Sequence, residues 1–325
     1  MGYKWLGRTG VKVSSLCFGT MSFGGDADEK TSSEMFSRCR DHGINFFDCA
    51  DAYSNGRSEE ILGKLVAGCR NKVVITSKLY NPMGSDINAR GASRRYIRQA
   101  VEASLRRLQT DYLDIYFLHR FDPHTALEES LRALDDLVHA GKVLYLGVSN
   151  FAAWQVMSGL AISDRLGSSR FEVLQPMYNL VKRQAEAEIL PMAEAKQLGV
   201  ISYSPLGGGL LTGKYRGAEG SAEGRLTANS MYGKRYRDDA GFAVAERLGN
   251  FARDRNLHPA SLAIAWVASH PGITAPIIGA RNVEQLQPAL ESASIDMTTE
   301  LRGEISALSI DAPVATDRTE ENVGE

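Results

Sequence analysis

The chain has 325 residues, of which 43% are hydrophobic and 23% charged, and its formal net charge is −2 at pH 7. A chain of this length and composition can bury a large core and is typical of a globular protein. The near-neutral charge gives no electrostatic case for nucleic acid or an anionic membrane surface as a partner, and no apolar run approaches the length of a membrane span.

Four cysteines occur without the close spacing of a zinc or redox motif. Cys17 and Cys49 fall in strand-like runs and Cys39 lies on the apolar face of a predicted helix, which favours buried free thiols over disulfides or a metal site. The first residues include no apolar core of a signal peptide. We therefore expect a cytoplasmic protein without a metal.

The first predicted elements are a hairpin, a strand and a helix. Residues 3–6 and 11–13 flank a turn that contains glycines, which is a hairpin signal. A buried strand follows at residues 15–20. Thr31 with Glu34 then forms a capping box at the start of a helical pattern.

Apolar runs alternate with helical patterns along the rest of the chain. Eight runs read as strands: residues 15–20, 44–48, 73–78, 112–118, 143–148, 173–176, 200–203 and 273–278. Near-continuous apolar strands alternating with helices indicate a parallel sheet covered by helices, and eight of them indicate a closed barrel. The predicted fold is α/β, a (β/α)8 TIM barrel with an N-terminal β-hairpin. Residues 1–311 form the single domain and 312–325 a disordered acidic tail.

Two segments depart from regular alternation. Residues 207–239 form a long loop rich in glycine, lysine and arginine, and such length indicates function or disorder. A second helical pattern at residues 259–269 precedes the last strand.

Ionisable side chains close several predicted strands. Asp48, Lys78 and His119 end strands two, three and four, and Tyr53 lies in the loop after the second strand. Charged groups at the ends of buried strands must be paired or functional. Each could alone be structural, as a turn residue, a loop aromatic, a snorkelling lysine or a satisfied core histidine. Four together at successive strand ends favour a site.

The four residue types suit protonation of a carbonyl oxygen. A tyrosine with a pKa near ~10 is a poor acid at neutral pH, and a neighbouring lysine is expected to lower that pKa. An aspartate would hold the lysine in place. A neutral histidine could orient the carbonyl and donate to its oxygen.

The chain resembles an aldo-keto reductase along nearly its whole length. The segments that carry the resemblance are GINFFDCADAYSNGRSEEILG, VVITSK, DYLDIYFLHRFDP, GKVLYLGVSNF, YSPLGGGLLTGKY and IIGARNVEQL. The resemblance implies a (β/α)8 barrel that binds a nicotinamide cofactor without a Rossmann fingerprint. It also implies Tyr53 as general acid, Lys78 and Asp48 as its tuning partners, and His119 as the carbonyl-orienting group.

The resemblance further implies a set of cofactor contacts around the barrel mouth. They are Gly19, Thr20 and Met21 after strand one, Asp48 facing the nicotinamide ribose, Ser149, Asn150 and Gln175 at the carboxamide, Tyr203 as the stacking aromatic, Ser204, Leu206, Gly209 and Lys214 along the pyrophosphate with Pro205 beside them, and Gly279, Arg281 and Gln285 at the adenosine end. Arg281 suits a bidentate contact with a 2′-phosphate, which favours NADPH, with NADH as the alternative.

Three features depart from the family pattern or extend it. Cys49 stands where relatives often have threonine, and Ala289 stands where many have an asparagine near the adenine. The loop at residues 207–239 is interpreted as a lid over the pyrophosphate, with a solvated loop as the alternative.

The leading interpretation is an NADP-dependent reductase that converts an aldehyde or ketone to an alcohol, reversibly. Its partner is a small carbonyl or alcohol substrate, met by loops around Phe23, Tyr80, Phe121 and Met231. A cofactor-binding regulatory subunit that resembles potassium-channel β-subunits is the alternative, although those subunits depart from this pattern at His119. A phosphate-binding barrel isomerase is a third reading. The sequence predicts neither the specific substrate nor the oligomeric state.

Overall fold

A computed structural model describes residues 1–215, 224–228 and 230–316, and within them it contains ten strands, twelve α-helices and five short 3-10 helices. The strands are β1 (Tyr3–Trp5), β2 (Lys12–Ser14), β3 (Cys17–Gly19), β4 (Phe46–Asp48), β5 (Val74–Leu79), β6 (Leu113–Leu118), β7 (Val143–Ser149), β8 (Phe171–Gln175), β9 (Gly199–Ser202) and β10 (Ala275–Ile278). The helices are α1 (Glu29–Asp41), α2 (Arg57–Val66), α3 (Arg94–Leu108), α4 (Leu127–His139), α5 (Ala153–Leu166), α6 (Ile189–Ala195), α7 (Arg225–Ala228), α8 (Ser230–Tyr236), α9 (Asp239–Asp254), α10 (Pro259–Ala268), α11 (Val283–Glu291) and α12 (Thr299–Ser306).

Strands β3 to β10 close a barrel in chain order, with β10 completing the ring against β3. Every neighbouring pair in the barrel is parallel, and β1 pairs with β2 as a separate antiparallel hairpin. The predicted α/β TIM barrel with an N-terminal hairpin is therefore confirmed. The carboxyl ends of all eight strands meet at one rim, where this fold places its chemistry.

The barrel interior is apolar below and polar at the rim. Its buried cluster contains Leu6, Val13, Cys17, Phe46, Val74, Ile115, Phe117, Val173, Ile201 and Ala275. Side chains two residues apart on a strand share a face, so Asp48, Lys78 and Gln175 point into the same interior as the apolar residues before them. The same spacing from Phe117 places His119 inward. Apolar filling thus supports a polar layer at the mouth.

The helices pack their apolar faces on the outside of the barrel. In α3 the buried positions Ile97, Val101, Leu105 and Leu108 recur at intervals of three and four residues. Ser93 caps the first turn by accepting from the Tyr96 N–H. Burial of each large apolar side chain contributes about 1.5–3 kcal/mol.

Two local predictions differ from the structure, and a third lies largely outside the described residues. Helix α1 begins at Glu29 and is capped by Asp28, which accepts from the Thr31 N–H, so the capping box at Thr31 is wrong. The segment 207–239 contains a 3-10 turn at Gly207–Thr212 and helices α7 and α8, although residues 216–223 and 229 lie outside the described residues. Of the predicted tail 312–325, residues 317–325 also lie outside them.

The four cysteines are free thiols. Cys17, Cys39 and Cys49 are buried, as predicted, and Cys69 is half-buried. Among the helices of the described ranges, none has the length and apolar character needed to cross a membrane.

Candidate active site

An ion pair between Asp48 and Lys78 lies at the top of the barrel interior. The Lys78 Nζ donates to Asp48 Oδ2 and to the Cys49 carbonyl, each at 2.7 Å. The second carboxylate oxygen accepts from Thr76 at 2.7 Å and from Gln175 at 2.8 Å. The lysine side chain is 0% exposed and the aspartate 2%. Because both charges are buried and paired, the ammonium group is held in one position.

Tyr53 lies directly over this ammonium. Its hydroxyl accepts from Lys78 Nζ at 3.2 Å, and the same nitrogen is 4.8 Å from the ring centroid. Burial raises the pKa of Tyr53 to about 12, although the charge of Lys78 opposes the rise. Burial also disfavours the lysine charge, yet Asp48 and Tyr53 outweigh that effect and raise the pKa of Lys78. Lys78 therefore lowers the pKa of Tyr53, as expected, but burial raises that pKa by more.

A tight turn fixes Tyr53 above the barrel. Ser54, Asn55 and Gly56 follow it with φ values of 48°, 55° and 89°, three left-handed residues in succession. Gly56 is favoured there, because its φ of 89° strains other residues and a Cβ would lie 2.7 Å from the Arg107 side chain. Left-handed non-glycine residues persist only where the surrounding structure holds them, and they are common at functional sites.

His119 faces Tyr53 across the mouth. The two ring centroids are 6.3 Å apart with the planes at 80°. Burial, followed by the charges of Lys78 and Arg120, lowers the pKa of His119 to about 3, so the imidazole is neutral near pH 7. Asn81 Nδ2 lies 3.2 Å from the imidazole Nδ1. An amide NH2 group only donates, so Nδ1 accepts and the ring proton is on Nε2.

A set of amide and hydroxyl groups continues the rim beside Asp48. Ser149 Oγ donates to the Gln175 carbonyl at 2.8 Å. Asn150 Nδ2 donates to the His119 carbonyl at 2.9 Å, and Tyr203 donates to Asn150 Oδ1 at 2.7 Å. Asn150 has a φ of 57°, a left-handed conformation that these bonds hold in place. The amide groups predicted for one ligand contact are therefore adjacent in space.

One cavity of about 1200 Å³ joins nearly all the predicted site residues. It is lined by Gly19, Met21, Asp48, Tyr53, His119, Ser149, Asn150, Gln175, Tyr203, Ser204, Pro205, Leu206, Gly209, Lys214, Gly279, Arg281 and Gln285. Lys78 lies beneath its floor. Thr20 is also absent from the lining, because it is fully buried and donates to the Asp48 carbonyl at 3.1 Å.

The start of α11 supplies cationic and amide groups to the same cavity. The Arg281 N–H donates to Gln285 Oε1 at 3.3 Å, while the Arg281 guanidinium is half-exposed. On the facing segment, a Cβ at Gly209 would lie 3.6 Å from Lys214 Nζ, so the bare backbone and the ammonium lie side by side. Guanidinium, ammonium and backbone groups along one long cavity fit the phosphates of a dinucleotide.

Only some of the residues predicted for the substrate loops line the cavity. Phe121 and Met231 line the cavity, and Phe121 packs on Trp154 with ring centroids 6.0 Å apart. Phe23 is fully buried in the core, so its predicted place in the pocket wall is wrong. Tyr80 does not line the cavity, although its ring lies under the Arg120 guanidinium at 5.4 Å.

Sequence reasoning missed several residues of the site. Thr76 could have been found from the alternation of a strand, since it lies two residues before Lys78 on the same face. Asn81 lies in a loop, and its contact with His119 is a meeting of two chain segments that no local pattern reports. The same holds for Arg120 and Tyr232, which also line the cavity.

Known proteins match nearly the full length of this chain. A model of the aldo/keto reductase family matches residues 15–310. An uncharacterized oxidoreductase of Bacillus subtilis is 39% identical over 93% of this chain and 94% of its own. A probable voltage-gated potassium channel subunit beta of Arabidopsis thaliana is 36% identical over 91% and 92%, respectively. The norsolorinic acid reductase of Aspergillus flavus is 35% identical over 90% of this chain and 76% of its own.

Proposed function

The chain belongs to the aldo/keto reductase family and is an oxidoreductase, and on that premise we propose that it reduces an aldehyde or ketone to an alcohol, reversibly, with NADPH. The observation that carries the proposal is the contact of the Tyr53 hydroxyl with the buried Lys78 ammonium, beside the neutral imidazole of His119. Tyr53 is a neutral acid, Lys78 a fixed cation and His119 a neutral hydrogen-bond donor. Together at one rim they suit the reduction of a carbonyl.

The proton moves from Tyr53 to the carbonyl oxygen of the substrate. At neutral pH the phenol is protonated, because its pKa is about 12, so the acid is present in every molecule. The transfer leaves a phenolate 3.2 Å from Lys78 Nζ, where the ammonium stabilises the new negative charge. His119 donates through Nε2–H to the same oxygen and orients it. A reduced nicotinamide, when bound, supplies the hydride for the carbonyl carbon.

The residues along the cavity fit such a cofactor. Ser149, Asn150 and Gln175 offer both donors and acceptors for a carboxamide. Lys214 and Arg281 offer cations for the phosphates, and the half-exposed guanidinium of Arg281 suits the 2′-phosphate that distinguishes NADPH from NADH. The segment 207–239, whose described part contributes Met231 and Tyr232 to the cavity wall, is proposed as the lid.

The test is oxidation of NADPH in the presence of 4-nitrobenzaldehyde, with NADH as the matched control. We expect turnover with NADPH that exceeds turnover with NADH. Absence of NADPH binding would contradict the proposal and would leave the isomerase reading, in which Asp48 and His119 work without a nicotinamide.

A regulatory subunit is the second candidate, because relatives in Arabidopsis thaliana and rice carry the name of probable potassium channel subunits. The neutral His119 edge-on to Tyr53 favours the reductase over it. Tight cofactor binding without turnover of any carbonyl would support the second candidate.

A further inference from the structure

Two guanidinium groups lie at the catalytic end of the cavity and have no assigned task. Arg120 follows His119 directly in the chain, and Arg235 belongs to α8; both line the cavity. The charges of both arginines act on the phenol of Tyr203, and the charge of Arg120 also acts on His119. Arg120 is thus next to His119, and Arg235 lies near Tyr203, which is linked through Asn150 to the His119 carbonyl.

Neither guanidinium forms an ion pair with a carboxylate of the described residues. Each lies instead over an aromatic ring, Arg120 at 5.4 Å from the Tyr80 centroid and Arg235 at 5.7 Å from the Tyr232 centroid. A guanidinium stacked on a ring keeps its in-plane N–H donors open to a further partner. The rings thus hold the two cations without neutralising them.

The cavity wall supplies little negative charge to balance them. Two acidic side chains of the described residues line it, Asp48 and Glu284. Asp48 is neutralised by Lys78 at 2.7 Å. Glu284 is on α11, which follows β10, whereas His119 follows β6, four strands away around the barrel. The catalytic end is therefore cationic, and its remaining wall includes the neutral rings of Phe121, Tyr203 and Tyr232.

We propose that the substrate is a carbonyl compound that also bears an anionic group, a carboxylate or a phosphate, which Arg120 and Arg235 bind while the carbonyl faces Tyr53 and His119. This inference rests on the proposed reductase function and names its substrate class. Guanidinium N–H groups match either anion in a bidentate geometry. The cofactor phosphates have separate cations in Lys214 and Arg281, which leaves the arginine pair for the substrate.

The test compares kcat/KM for matched anionic and neutral substrates, with NADPH as the reductant. The carboxybenzaldehyde isomers are paired with their methyl esters, which have the same ring and aldehyde without the charge, and 4-formylphenyl phosphate separates phosphate from carboxylate recognition. We expect kcat/KM for the best anionic substrate to exceed that of its neutral partner by about tenfold or more. The advantage should shrink as salt is added, because one of the arginines is exposed.

Variants assign the preference to the two residues. Arg120→Met and Arg235→Met remove the charge and keep most of the side-chain volume, and each should lower the ratio of anionic to neutral kcat/KM by about tenfold. Arg98→Met is the matched control, since Arg98 is an exposed arginine on α3 outside the cavity lining, and it should leave the ratio unchanged.

Three results would overturn the inference. If the esters are reduced as fast as the anions, the substrate class is wrong while the reductase function stands. If Arg235→Met raises KM for NADPH and leaves the ratio unchanged, that arginine serves the cofactor and the pair does not bind substrate. If no carbonyl is reduced although NADPH binds, the proposed function fails and the inference fails with it.

Discussion

Replacement of Asp51 by asparagine is expected to change how stability depends on pH. Asp51 lies in the loop that carries Tyr53, is 1% exposed, and has no hydrogen bond of good geometry to the described residues on either carboxylate oxygen. Burial, and next the charge of Glu59, raise the pKa of Asp51 to about 7, while the Ala52 backbone N–H and the charges of Arg107 and Lys78 oppose the rise. An unpaired buried carboxylate therefore lies beside the catalytic turn.

The magnitude follows from the two pKa values. The ordinary value is 3.8 and the folded value is about 7, a difference of about 3 units, or roughly 4 kcal/mol in full. Because the folded protein keeps a proton that the unfolded chain has released, this stability is fully present below the unfolded pKa and is lost as the pH rises through the folded pKa. Between about pH 5 and about pH 8 the loss is roughly 2–3 kcal/mol. Asparagine does not ionise, so the Asp51→Asn variant does not lose this stability as the pH rises.

The assay is the free energy of unfolding in guanidinium chloride near pH 5 and near pH 8. From about pH 5 to about pH 8, the free energy of unfolding of Asp51→Asn relative to the parent should rise by roughly 2–3 kcal/mol. Asp164→Asn, at an exposed position on α5, controls for the substitution itself. A difference between variant and parent that is the same at both pH values would show that Asp51 is ionised in the folded protein throughout, and the reasoning would be refuted.

Three further outcomes are expected. Arg281→Ala should raise KM for NADPH much more than KM for NADH in steady-state assays, because it removes the cation assigned to the 2′-phosphate; equal rises would remove that role. The kcat/KM for carbonyl reduction should show no inflection from His119 in its pH profile between about pH 5 and about pH 8, since the pKa of this residue is lowered to about 3; an inflection that disappears in His119→Gln would contradict this. Lys78→Met should lower the thermal unfolding midpoint by the equivalent of about 3–5 kcal/mol, because Asp48 is left buried and unpaired; a midpoint equal to that of the parent would count against a buried ion pair.

The barrel and the polar rim could be predicted because both follow from short-range patterns. Eight apolar runs separated by helical patterns leave few alternatives to a closed parallel sheet. The inward direction of Asp48 and Lys78 follows from alternation along a strand, and the parallel order then brings neighbouring strand ends together. The meeting of Asp48 and Lys78 at one rim needs no information beyond that order.

The parts that could not be predicted depend on depth and on contacts between distant segments. The pKa of Tyr53 is set by how far burial outweighs the charge of Lys78, and a sequence does not give that balance. Helix α1 starts at Glu29 because Asp28 competes successfully with Thr31 for the cap position, although both residues are good caps. The contact of Asn81 with His119 joins two loops and has no sequence pattern of its own.

The measurement that bears most directly on the account is a single turnover of NADPH-bound protein with an aldehyde, made with the parent and with Tyr53→Phe. Phenylalanine keeps the ring over Lys78 and removes the hydroxyl that donates the proton. In Tyr53→Phe we expect an unchanged dissociation constant for NADPH and a rate of reduction lower by about 10²–10⁴-fold. A variant that reduces the aldehyde as fast as the parent would show that the proton comes from another group.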